Sequence, residues 1–206
     1  DRKVILNAIK NKNNNLSNNL KLNVIKETAK IKKFSLSTSL KNARINSQEV
    51  TRNDIFFAIK GKKINGNKFV SEAFKKKSSL AIVNDIDTKL SLSKQIKVKD
   101  SLNFLTTCSK SLRQNLNAKI ISITGSCGKT TLKEMLGSIL KKISRTTISP
   151  KSFNNKYGVP LSLFNLKQND KFGVFEVGMD KKGEIDYLSN IIGPDLGIIT
   201  NISYAH

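Results

Sequence analysis

One segment, residues 120–143, constrains the fold of this chain more than any other. An apolar, β-branched run leads into a turn that is bracketed by Gly125 and Gly128, and Lys129 follows at once. A strand, a glycine-rich turn and a helix in this order are typical of a phosphate-binding loop, in which backbone N–H groups and the helix N-terminus face an anion. The helix is predicted from apolar residues at helical spacing, namely Leu132, Met135, Leu136, Ile139, Leu140 and Ile143.

The residue types in the loop indicate how it would hold a nucleotide. Lys129 is placed to reach the β- and γ-phosphates, and the Thr130 hydroxyl is placed to bind Mg²⁺. The general pattern G-x-x-x-x-G-K-S/T is only partly matched, because Ile123 stands where its first glycine would be. A glycine-rich turn with a surface lysine is the alternative that this spacing leaves open. The residues predicted to contact nucleotide are Thr124, Gly125, Ser126, Cys127, Gly128, Lys129, Thr130 and Thr131.

A formal net charge of +22 raises the question of a nucleic-acid partner. The lysines are scattered over nearly every segment and accompany abundant Asn and Ile, which is the composition that an AT-rich coding sequence produces. Aromatic residues make up only 6% of the 206 residues and Trp is absent, so no base-stacking platform is indicated. We therefore expect no nucleic-acid partner, although a basic surface attracts phosphorylated substrates.

Two further features of the composition bear on location. No apolar run approaches the roughly 18–20 residues that a membrane span needs, so no membrane insertion is expected. The two cysteines, Cys108 and Cys127, lack the spacing of metal ligands, and one of them lies in the phosphate loop. This usage is typical of a reduced, cytoplasmic protein.

The rest of the chain alternates short apolar strands with amphipathic helices, which predicts an α/β fold with parallel sheets. The predicted strands are 55–59, 80–83, 120–124, 172–177 and 196–200. The predicted helices, besides the one after the loop, lie around 69–74, 101–115 and 184–192, with a short one within 1–10.

The pattern divides the chain into three parts. Residues 1–33 are predicted to be a linker or the tail of a preceding domain, since 11–19 are polar and low in complexity. A small N-terminal α/β domain is predicted over 34–99, followed by a P-loop parallel-sheet ATPase domain over 100–206. Because an α/β domain does not normally stop directly after a strand, as this chain does at His206, we expect the P-loop domain to be incomplete.

Three polar features beyond the loop are candidates for chemistry. Glu176 lies near the carboxyl end of an apolar strand, where ligands gather in doubly wound sheets, and is placed to hold Mg²⁺. A solvated carboxylate at a strand end is the alternative. His206 is the only histidine, and Asn154 and Asn155 are either turn residues or amide groups for a substrate.

Four ordered motifs over residues 124–206 resemble the ATP-dependent Mur ligases of peptidoglycan synthesis. The family's loop, T-G-S/T-x-G-K-S/T-T, matches 124–131 and explains the missing first glycine. An Asn-Asn…Gly-x-Pro-Leu element, an E-L/V-G…G-E-I…L segment and a P-D…I-T-N…A-H segment follow. The matching residues are Asn154, Asn155, Gly158, Pro160 and Leu161, then Glu176, Val177, Gly178, Gly183, Glu184, Ile185 and Leu188, then Pro194, Asp195, Ile199, Thr200, Asn201, Ala205 and His206.

The resemblance implies a monomeric ligase that uses ATP and Mg²⁺ to form an amide bond. A phosphoryl group would pass to the carboxylate of a UDP-muramoyl-tripeptide, and the amine of D-alanyl-D-alanine would attack the acyl phosphate; the Asn-Asn element and the Gly-Glu-Ile run favour this acceptor. The family also uses a C-terminal domain and a carbamylated lysine beyond the last residue here, so we expect the 206-residue chain alone not to ligate. The implied roles are catalytic for Lys129, Glu176 and His206, metal-binding for Thr130, Glu176 and His206, and substrate-binding for Asn154 and Asn155.

The N-terminal part resembles the family with departures. The D-S/T-R signature that contacts the uridine nucleotide reads Asn46-Ser47-Gln48 here, ahead of Asn53-Asp54-Ile55-Phe56, and D-G-H reads Asn65-Gly66-Asn67. Ser47 keeps a predicted substrate contact, whereas the replaced arginine removes a bidentate donor. Residues 1–10 resemble the tail of the preceding ligase of the pathway, which predicts a fragment of a fused polypeptide.

Alternatives from several classes remain at this point. A sister Mur ligase that adds the third amino acid, or a ligase similar to folylpolyglutamate synthase, would share the mechanism with another substrate. A P-loop ATPase that acts on nucleic acid would need its basic residues on one face. Because Asn46 and Gln48 depart from the signature, a non-catalytic nucleotide-binding module is also open.

Overall fold

Two compact units make up the chain, and the boundary between them falls between Cys108 and Ser109. The computed structural model describes residues 20–32, 34, 36, 40–61, 63–151 and 153–203. The helix predicted within 1–10 and the predicted linker 11–19 lie outside the described residues. Among the described residues, no helix is long and apolar enough to cross a membrane.

The first unit is built on a four-stranded parallel sheet in the order β1-β2-β3-β4. Helix α1 covers residues 20–28 and precedes the sheet. The remaining elements are β1 (Ala43–Arg44), β2 (Ile55–Phe57), α2 (Val70–Lys75), β3 (Leu80–Val83) and β4 (Gln95–Lys97), with short 3₁₀ helices at Ser47–Glu49, Gly66–Phe69 and Leu92–Lys94. Helix α3 (Ser101–Gln114) follows and contains the boundary between the units.

The core of the first unit explains why the sequences of its central strands are continuous apolar runs. Both faces of a parallel sheet are covered, so every residue of β2 and β3 is buried. Phe56, Ala81 and Val83 pack with Val70 and Ala73 of α2 in one apolar cluster. Burial of these side chains, at about 25 cal/mol per Å² of apolar surface, stabilises this unit.

The second unit is also a four-stranded parallel sheet, in the order β6-β7-β5-β8. Its elements are β5 (Lys119–Thr124), α4 (Lys129–Ile143), β6 (Thr146–Ile148), α5 (Gly158–Phe164), β7 (Phe172–Glu176), α6 (Glu184–Ile192) and β8 (Leu196–Ile199). In the register, Ile123 lies opposite both Glu176 and Ile198. The carboxyl ends of the three strands β7, β5 and β8 therefore meet at one edge of the sheet.

Helix α4 buries only part of its apolar surface. Leu132, Leu136 and Leu140 pack against a buried cluster formed by β5 and β7. Met135, Ile139 and Ile143, which share the helical spacing in the sequence, are instead 55–71% exposed. The sequence pattern thus predicts the helix correctly but includes a second apolar stripe that faces away from this cluster.

Asp195 lies at the edge of the second sheet where the strands begin, and it is hydrogen-bonded to three groups there. Its carboxylate accepts hydrogen bonds from the Ile120 backbone N–H at 2.8 Å, from Lys119 Nζ at 3.0 Å and from the Arg113 guanidinium at 2.9 Å. The Ile120 N–H, followed by Lys119 and Arg113, lowers the pKa of this carboxyl below its ordinary value. The Pro-Asp motif therefore has a structural role that joins the start of β8 to β5.

Asp195→Asn should lower the free energy of unfolding by about 1 kcal/mol at pH 7. Loss of the charge on the acceptor of the Ile120 N–H carries most of this effect, because an amide oxygen is a weaker acceptor than a carboxylate and partly exposed ion pairs contribute little. A carboxyl with a lowered pKa in the folded state stabilises it above the unfolded pKa, and this contribution is lost as the pH falls through the folded value. Urea unfolding of the variant and the wild type should thus differ at pH 7 and converge below about pH 4.

Asp186→Asn is the matched control, since the Asp186 carboxylate accepts a hydrogen bond from exposed Asn190. It should leave the unfolding midpoint nearly unchanged. A difference between wild type and Asp195→Asn that stays constant from pH 7 to pH 3 would contradict the assignment.

Candidate functional site

The predicted phosphate loop forms at the carboxyl end of β5. Strand β5 ends at Thr124 and helix α4 begins at Lys129, so the loop occupies the turn between them. Gly125 has a φ of +133° and Gly128 a φ of +81°, a left-handed region that disfavours other residues. Leu132 N donates to Gly128 O at 3.0 Å as an intrahelical bond, and the amides of the turn before it are the donors that a helix N-terminus presents to an anion.

Residues 200–203 hold the loop in place. The backbone N–H groups of Ser126 and Cys127 donate to the Asn201 backbone oxygen at 3.1 Å and to its side-chain oxygen at 3.0 Å. Thr200 Oγ1 donates to the Cys127 carbonyl at 2.6 Å. A Cβ on Gly125 would lie 2.1 Å from Thr200 Oγ1, so this contact requires glycine. Thr200 and Asn201 thus support the loop. The sequence matches both residues to a family motif but assigns no role to them.

Ser126 makes a further pair of contacts with the same segment. Its hydroxyl donates to the Ser203 carbonyl at 2.9 Å and accepts from the Ser203 N–H at 2.9 Å. The Thr124 hydroxyl, in contrast, is buried without a hydrogen-bond partner among the described residues. Thr131 lies in the first turn of α4 and is exposed. The eight predicted residues therefore run without interruption from the end of β5 into the first turn of α4, and two of their N–H groups are engaged by Asn201.

Lys129 begins helix α4, and its amine folds back over the loop. Lys129 Nζ donates a hydrogen bond to the Gly125 carbonyl. The side chain is partly exposed, so the ammonium lies at the loop surface rather than in the core. This position is suited to a lysine that exchanges a backbone acceptor for phosphate oxygens.

Glu176 is the centre of a small polar cluster at the end of β7. Its side chain is 2% exposed, which excludes the alternative of a solvated strand-end carboxylate. Thr130 Oγ1 donates to Glu176 Oε2 at 2.8 Å, and Asn154 Nδ2 donates to Oε1 at 2.9 Å. The structure thus brings together three residues that the sequence nominated separately.

The two adjacent asparagines have different roles. Asn155 Oδ1 accepts from the N–H groups of Tyr157 at 3.0 Å and Gly158 at 3.1 Å, which makes it the turn residue that leads into α5. Asn154 instead reaches Glu176, and its backbone carbonyl accepts from Gly178 N at 2.7 Å. Asn155 is thus a turn residue, the first of the two alternatives. Asn154 uses its amide to hold Glu176, and its contact with a substrate stays a prediction.

Sequence reasoning missed two polar residues at this site. Ser149 Oγ accepts from the Glu176 backbone N–H at 3.2 Å. Lys133 is 0% exposed, and its Nζ lies 3.7 Å from Glu176 Oε2. The sequence does not predict the burial of Lys133, because a lysine between apolar residues of an amphipathic helix is ordinarily a surface residue.

His206 lies outside the described residues. Among the residues that the structure does describe, no group of three or more His, Cys, Asp or Glu side chains is placed to hold a metal ion. Thr130 and Glu176 nevertheless place a hydroxyl and a carboxylate 2.8 Å apart beside the loop. These hard oxygen ligands suit Mg²⁺, which is commonly held by one or two protein oxygens together with substrate phosphates. The site fits a magnesium nucleotide on these grounds.

Ser47 lies in the first unit and is buried. Its hydroxyl donates to Glu72 Oε2 at 2.7 Å, and Asn46 Oδ1 accepts from the Gln48 N–H at 3.0 Å. The Gln48 carbonyl accepts from Lys76 Nζ at 2.7 Å. The three residues that stand at the D-S/T-R signature thus form a hydrogen-bonded 3₁₀ turn against helix α2.

The family model for the Mur ligase middle domain matches residues 123–206, from the end of β5 onwards. Residues 123–206 form a Mur ligase middle domain. This match covers the phosphate loop and the Glu176 cluster, and it confirms the resemblance that the sequence motifs indicate.

Relatives that match a larger part of the chain belong to the same family. The UDP-N-acetylmuramoyl-tripeptide–D-alanyl-D-alanine ligase of Buchnera aphidicola is 40% identical over 162 residues, which are 79% of this chain and 35% of that protein. MurF of Acinetobacter baumannii has 34% identity and a TM-score of 0.74, over 89% of this chain and 41% of its own. The α/β fold with parallel sheets is thereby confirmed.

A third relative carries a nucleotide. The crystal structure of the MurF ligase of Thermotoga maritima, in complex with ADP, is 30% identical with a TM-score of 0.64, over 78% of this chain and 37% of that chain. The chain thus spans between 35% and 41% of the length of these three Mur ligases.

Cys127 in the loop of this Mur ligase domain provides a probe of nucleotide binding. Cys127 is exposed, whereas Cys108 is buried, and burial raises the pKa of the Cys108 thiol to about 12. At pH 8 only about 10⁻⁴ of Cys108 is thiolate, the reactive form. We expect iodoacetamide to alkylate Cys127 at least about 100-fold faster, and Mg-ADP to slow this reaction, as followed by peptide mass spectrometry.

Cys127→Ser is the control, since it leaves the slow reaction of Cys108 alone. Equal rates at the two cysteines, or a rate at Cys127 that saturating Mg-ADP leaves unchanged, would contradict nucleotide binding at this loop.

Proposed function

We propose that this chain is the nucleotide-binding part of an ATP-dependent ligase that joins D-alanyl-D-alanine to UDP-N-acetylmuramoyl-tripeptide. The observation that carries the proposal is the cluster of Thr130, Glu176 and Asn154 beside the phosphate loop, inside a Mur ligase middle domain. The relatives at 40% and 34% identity are named for this reaction or as MurF. The names support this acceptor over that of a sister ligase, and the buried Glu176 cluster supports a nucleotide enzyme over a plain binding module.

The proposed reaction has two steps. A carboxylate oxygen of the tripeptide attacks the γ-phosphorus of ATP, and the bond between this phosphorus and the β-γ bridging oxygen breaks. ADP departs, and the tripeptide carries an acyl phosphate. The amine of D-alanyl-D-alanine then attacks the acyl carbon, phosphate departs and the nitrogen loses a proton. Such chemistry depends on positioning and on charge neutralisation more than on covalent participation by the protein.

The residues of the site divide these tasks. Lys129 binds the β- and γ-phosphate oxygens, and the loop residues 124–131 hold the phosphates with those backbone N–H groups that Asn201 does not engage. Thr130 and Glu176 hold Mg²⁺, which supplies neutralisation of phosphate charge when it is bound. Asn154 orients Glu176 and the substrate end, Asn155 shapes its turn, and His206 is proposed as a ligand of a second ion.

One segment of the first unit is proposed to bind the uridine nucleotide of the substrate. We assign this role to the domain 34–99, with a contact from Ser47, and ATP binding to the domain 100–206. Residues 1–33 are proposed to be a linker or the tail of a preceding domain. A monomer in the cytoplasm, where ATP and nucleotide-linked precursors are available, is the proposed setting.

The test is a ligation assay on the protein as its gene encodes it. ATP, Mg²⁺, UDP-muramoyl-tripeptide and D-alanyl-D-alanine should give the pentapeptide product, with one ADP and one phosphate per peptide bond. Two other substrate pairs distinguish the sister ligases and the folate ligases: a UDP-muramoyl-dipeptide with a single amino acid, and a folate with glutamate. Product formation with one of these pairs, and none with UDP-muramoyl-tripeptide and D-alanyl-D-alanine, would overturn the proposal.

A further inference from the structure

Lys133 is a fully buried lysine at the candidate site. It lies one helical turn beyond Lys129 on α4, and its side chain is 0% exposed. A lysine loses all contact with water only where its ammonium is paired and hydrogen-bonded, because an isolated buried charge is very costly. The groups around Lys133 Nζ therefore indicate the role of this residue.

Three oxygen atoms surround the buried ammonium. Lys133 Nζ donates to the Lys151 carbonyl, and it lies 3.3 Å from Glu134 Oε1 and 3.7 Å from Glu176 Oε2. Glu134 is 54% exposed, whereas Glu176 is 2% exposed, so Glu176 is the partner that shares the dry environment. An attraction between charges is strongest where water is excluded.

The Glu176 carboxylate is engaged on both of its oxygens. Oε2 accepts from Thr130 at 2.8 Å and faces Lys133, and Oε1 accepts from Asn154 at 2.9 Å. The formal charges of the two buried side chains thus sum to zero, while the Glu134 carboxylate beside Lys133 is 54% exposed and is screened by water. A neutral pair of this kind attracts a free divalent cation far less than a lone carboxylate does.

Lys133 also connects separate segments of the site. Its acceptor Lys151 has a φ of +48°, a region that a residue with a side chain rarely adopts. Lys151 lies between Ser149, which accepts from the Glu176 N–H, and Asn154, which donates to the Glu176 carboxylate. The buried ammonium thereby joins α4, the end of β7 and the loop that carries Asn154.

We propose that Lys133 is a positioning residue that neutralises Glu176, so that a divalent cation enters this site together with nucleotide phosphates and not alone. The inference rests on the proposed function, since it concerns the same nucleotide site. The phosphates bring the negative charge that the pair lacks, and the cation then binds to a site whose carboxylate is already oriented. Lys133 Nζ donates to the Lys151 carbonyl, whereas Lys129 Nζ donates to the Gly125 carbonyl of the loop, so the two lysines have separate acceptors.

Mn²⁺ without nucleotide is the probe, because its binding is followed by electron paramagnetic resonance and requires no activity. The wild-type chain should bind Mn²⁺ weakly in the absence of nucleotide. Lys133→Met removes the charge and keeps much of the volume, so it should bind Mn²⁺ at least about tenfold more tightly. Lys133→Arg keeps the charge and should restore the weak binding, an effect that loss of packing alone would not produce.

A folded Lys133→Met whose affinity for Mn²⁺ equals that of the wild type would overturn the proposal. If this variant does not fold, Lys133→Met/Glu176→Gln decides, because it removes both buried charges and so leaves neither of them unpaired. The double variant should then fold, with a cooperative thermal transition that the single variant lacks. A double variant that also lacks this transition would show that charge balance is not the role of Lys133.

Nucleotide binding is measured in parallel with a fluorescent ADP analogue. Lys129→Ala should lose binding of the analogue. If the wild type itself binds no ADP analogue, the proposed function fails, while the comparison of Mn²⁺ binding between wild type and Lys133→Met still tests the charge pair. The two failures are therefore distinguishable.

Discussion

Lys129→Ala should reduce ATP turnover by at least about 10²-fold in the protein as its gene encodes it. Lys129 is partly exposed at the start of α4, and its ammonium folds over the loop to the Gly125 carbonyl. A lysine so placed is free to move to phosphate oxygens without disturbing the core. Removing one positioned donor from a transition state of phosphoryl transfer typically costs about 10²–10³-fold in rate. Release of inorganic phosphate and binding of an ADP analogue measure the loss.

Lys142→Ala is the matched control for this experiment. Lys142 lies in the last turn of the same helix and is exposed, at the end remote from the loop. Since the chain carries a formal charge of +22, a general loss of positive charge should affect both variants alike. A Lys129→Ala variant that retains more than about a tenth of wild-type turnover would remove Lys129 from the site.

The elements that could be predicted are those whose buried residues form a regular apolar pattern within a short stretch of sequence. Strand β3 coincides with the predicted 80–83, helix α6 with 184–192, and β5 differs from the prediction by one residue. Each of these carries an unbroken apolar run or a helical stripe. Strand β2 is shorter than the predicted 55–59, because the chain after Phe57 leaves the ladder towards the bridge between Lys60 and Asn65.

The elements that sequence reasoning missed depend on partners distant in the chain. Strand β6 is half-polar and only three residues long, and it exists because it pairs with β7. Strand β1 has two residues and is an edge partner of β2. Helix α5, whose seven residues are all buried, is absent from the predicted helices. Short segments of this kind owe their conformation to tertiary packing, which overrides propensity.

The site shows the same division between local and distant information. The glycine turn and its lysine are contiguous in sequence, so the spacing alone predicts them. The contact between Lys133 and Glu176 joins residues that are 43 positions apart, and nothing in the local pattern of α4 separates this lysine from its exposed neighbours. The support of the loop by Thr200 and Asn201 likewise requires β8 to pair with β5. Chemistry that depends on sheet order is visible only in the fold.

Glu176→Gln should raise the Mg²⁺ concentration for half-maximal turnover by about tenfold or more, with a smaller change in the KM for ATP. The substitution keeps the shape of the side chain and removes the charge beside Thr130. Loss of a residue that holds or orients a metal ligand typically costs about 10–100-fold in metal affinity. Because Mg²⁺ is held by the protein and by the phosphates together, nucleotide binding through the loop should suffer less.

Glu176→Gln also leaves Lys133 without its buried partner, which lowers the free energy of unfolding by up to about 3–5 kcal/mol. A loss of stability would by itself reduce turnover. Asp170→Asn separates the two effects. Asp170 is 6% exposed, precedes β7 where Glu176 ends it, and accepts from Thr147 Oγ1 at 2.6 Å. This control should lose stability with no change in the Mg²⁺ requirement. An equal shift in Mg²⁺ requirement for both variants would mean that reduced stability, and not a metal contact, explains the effect of Glu176.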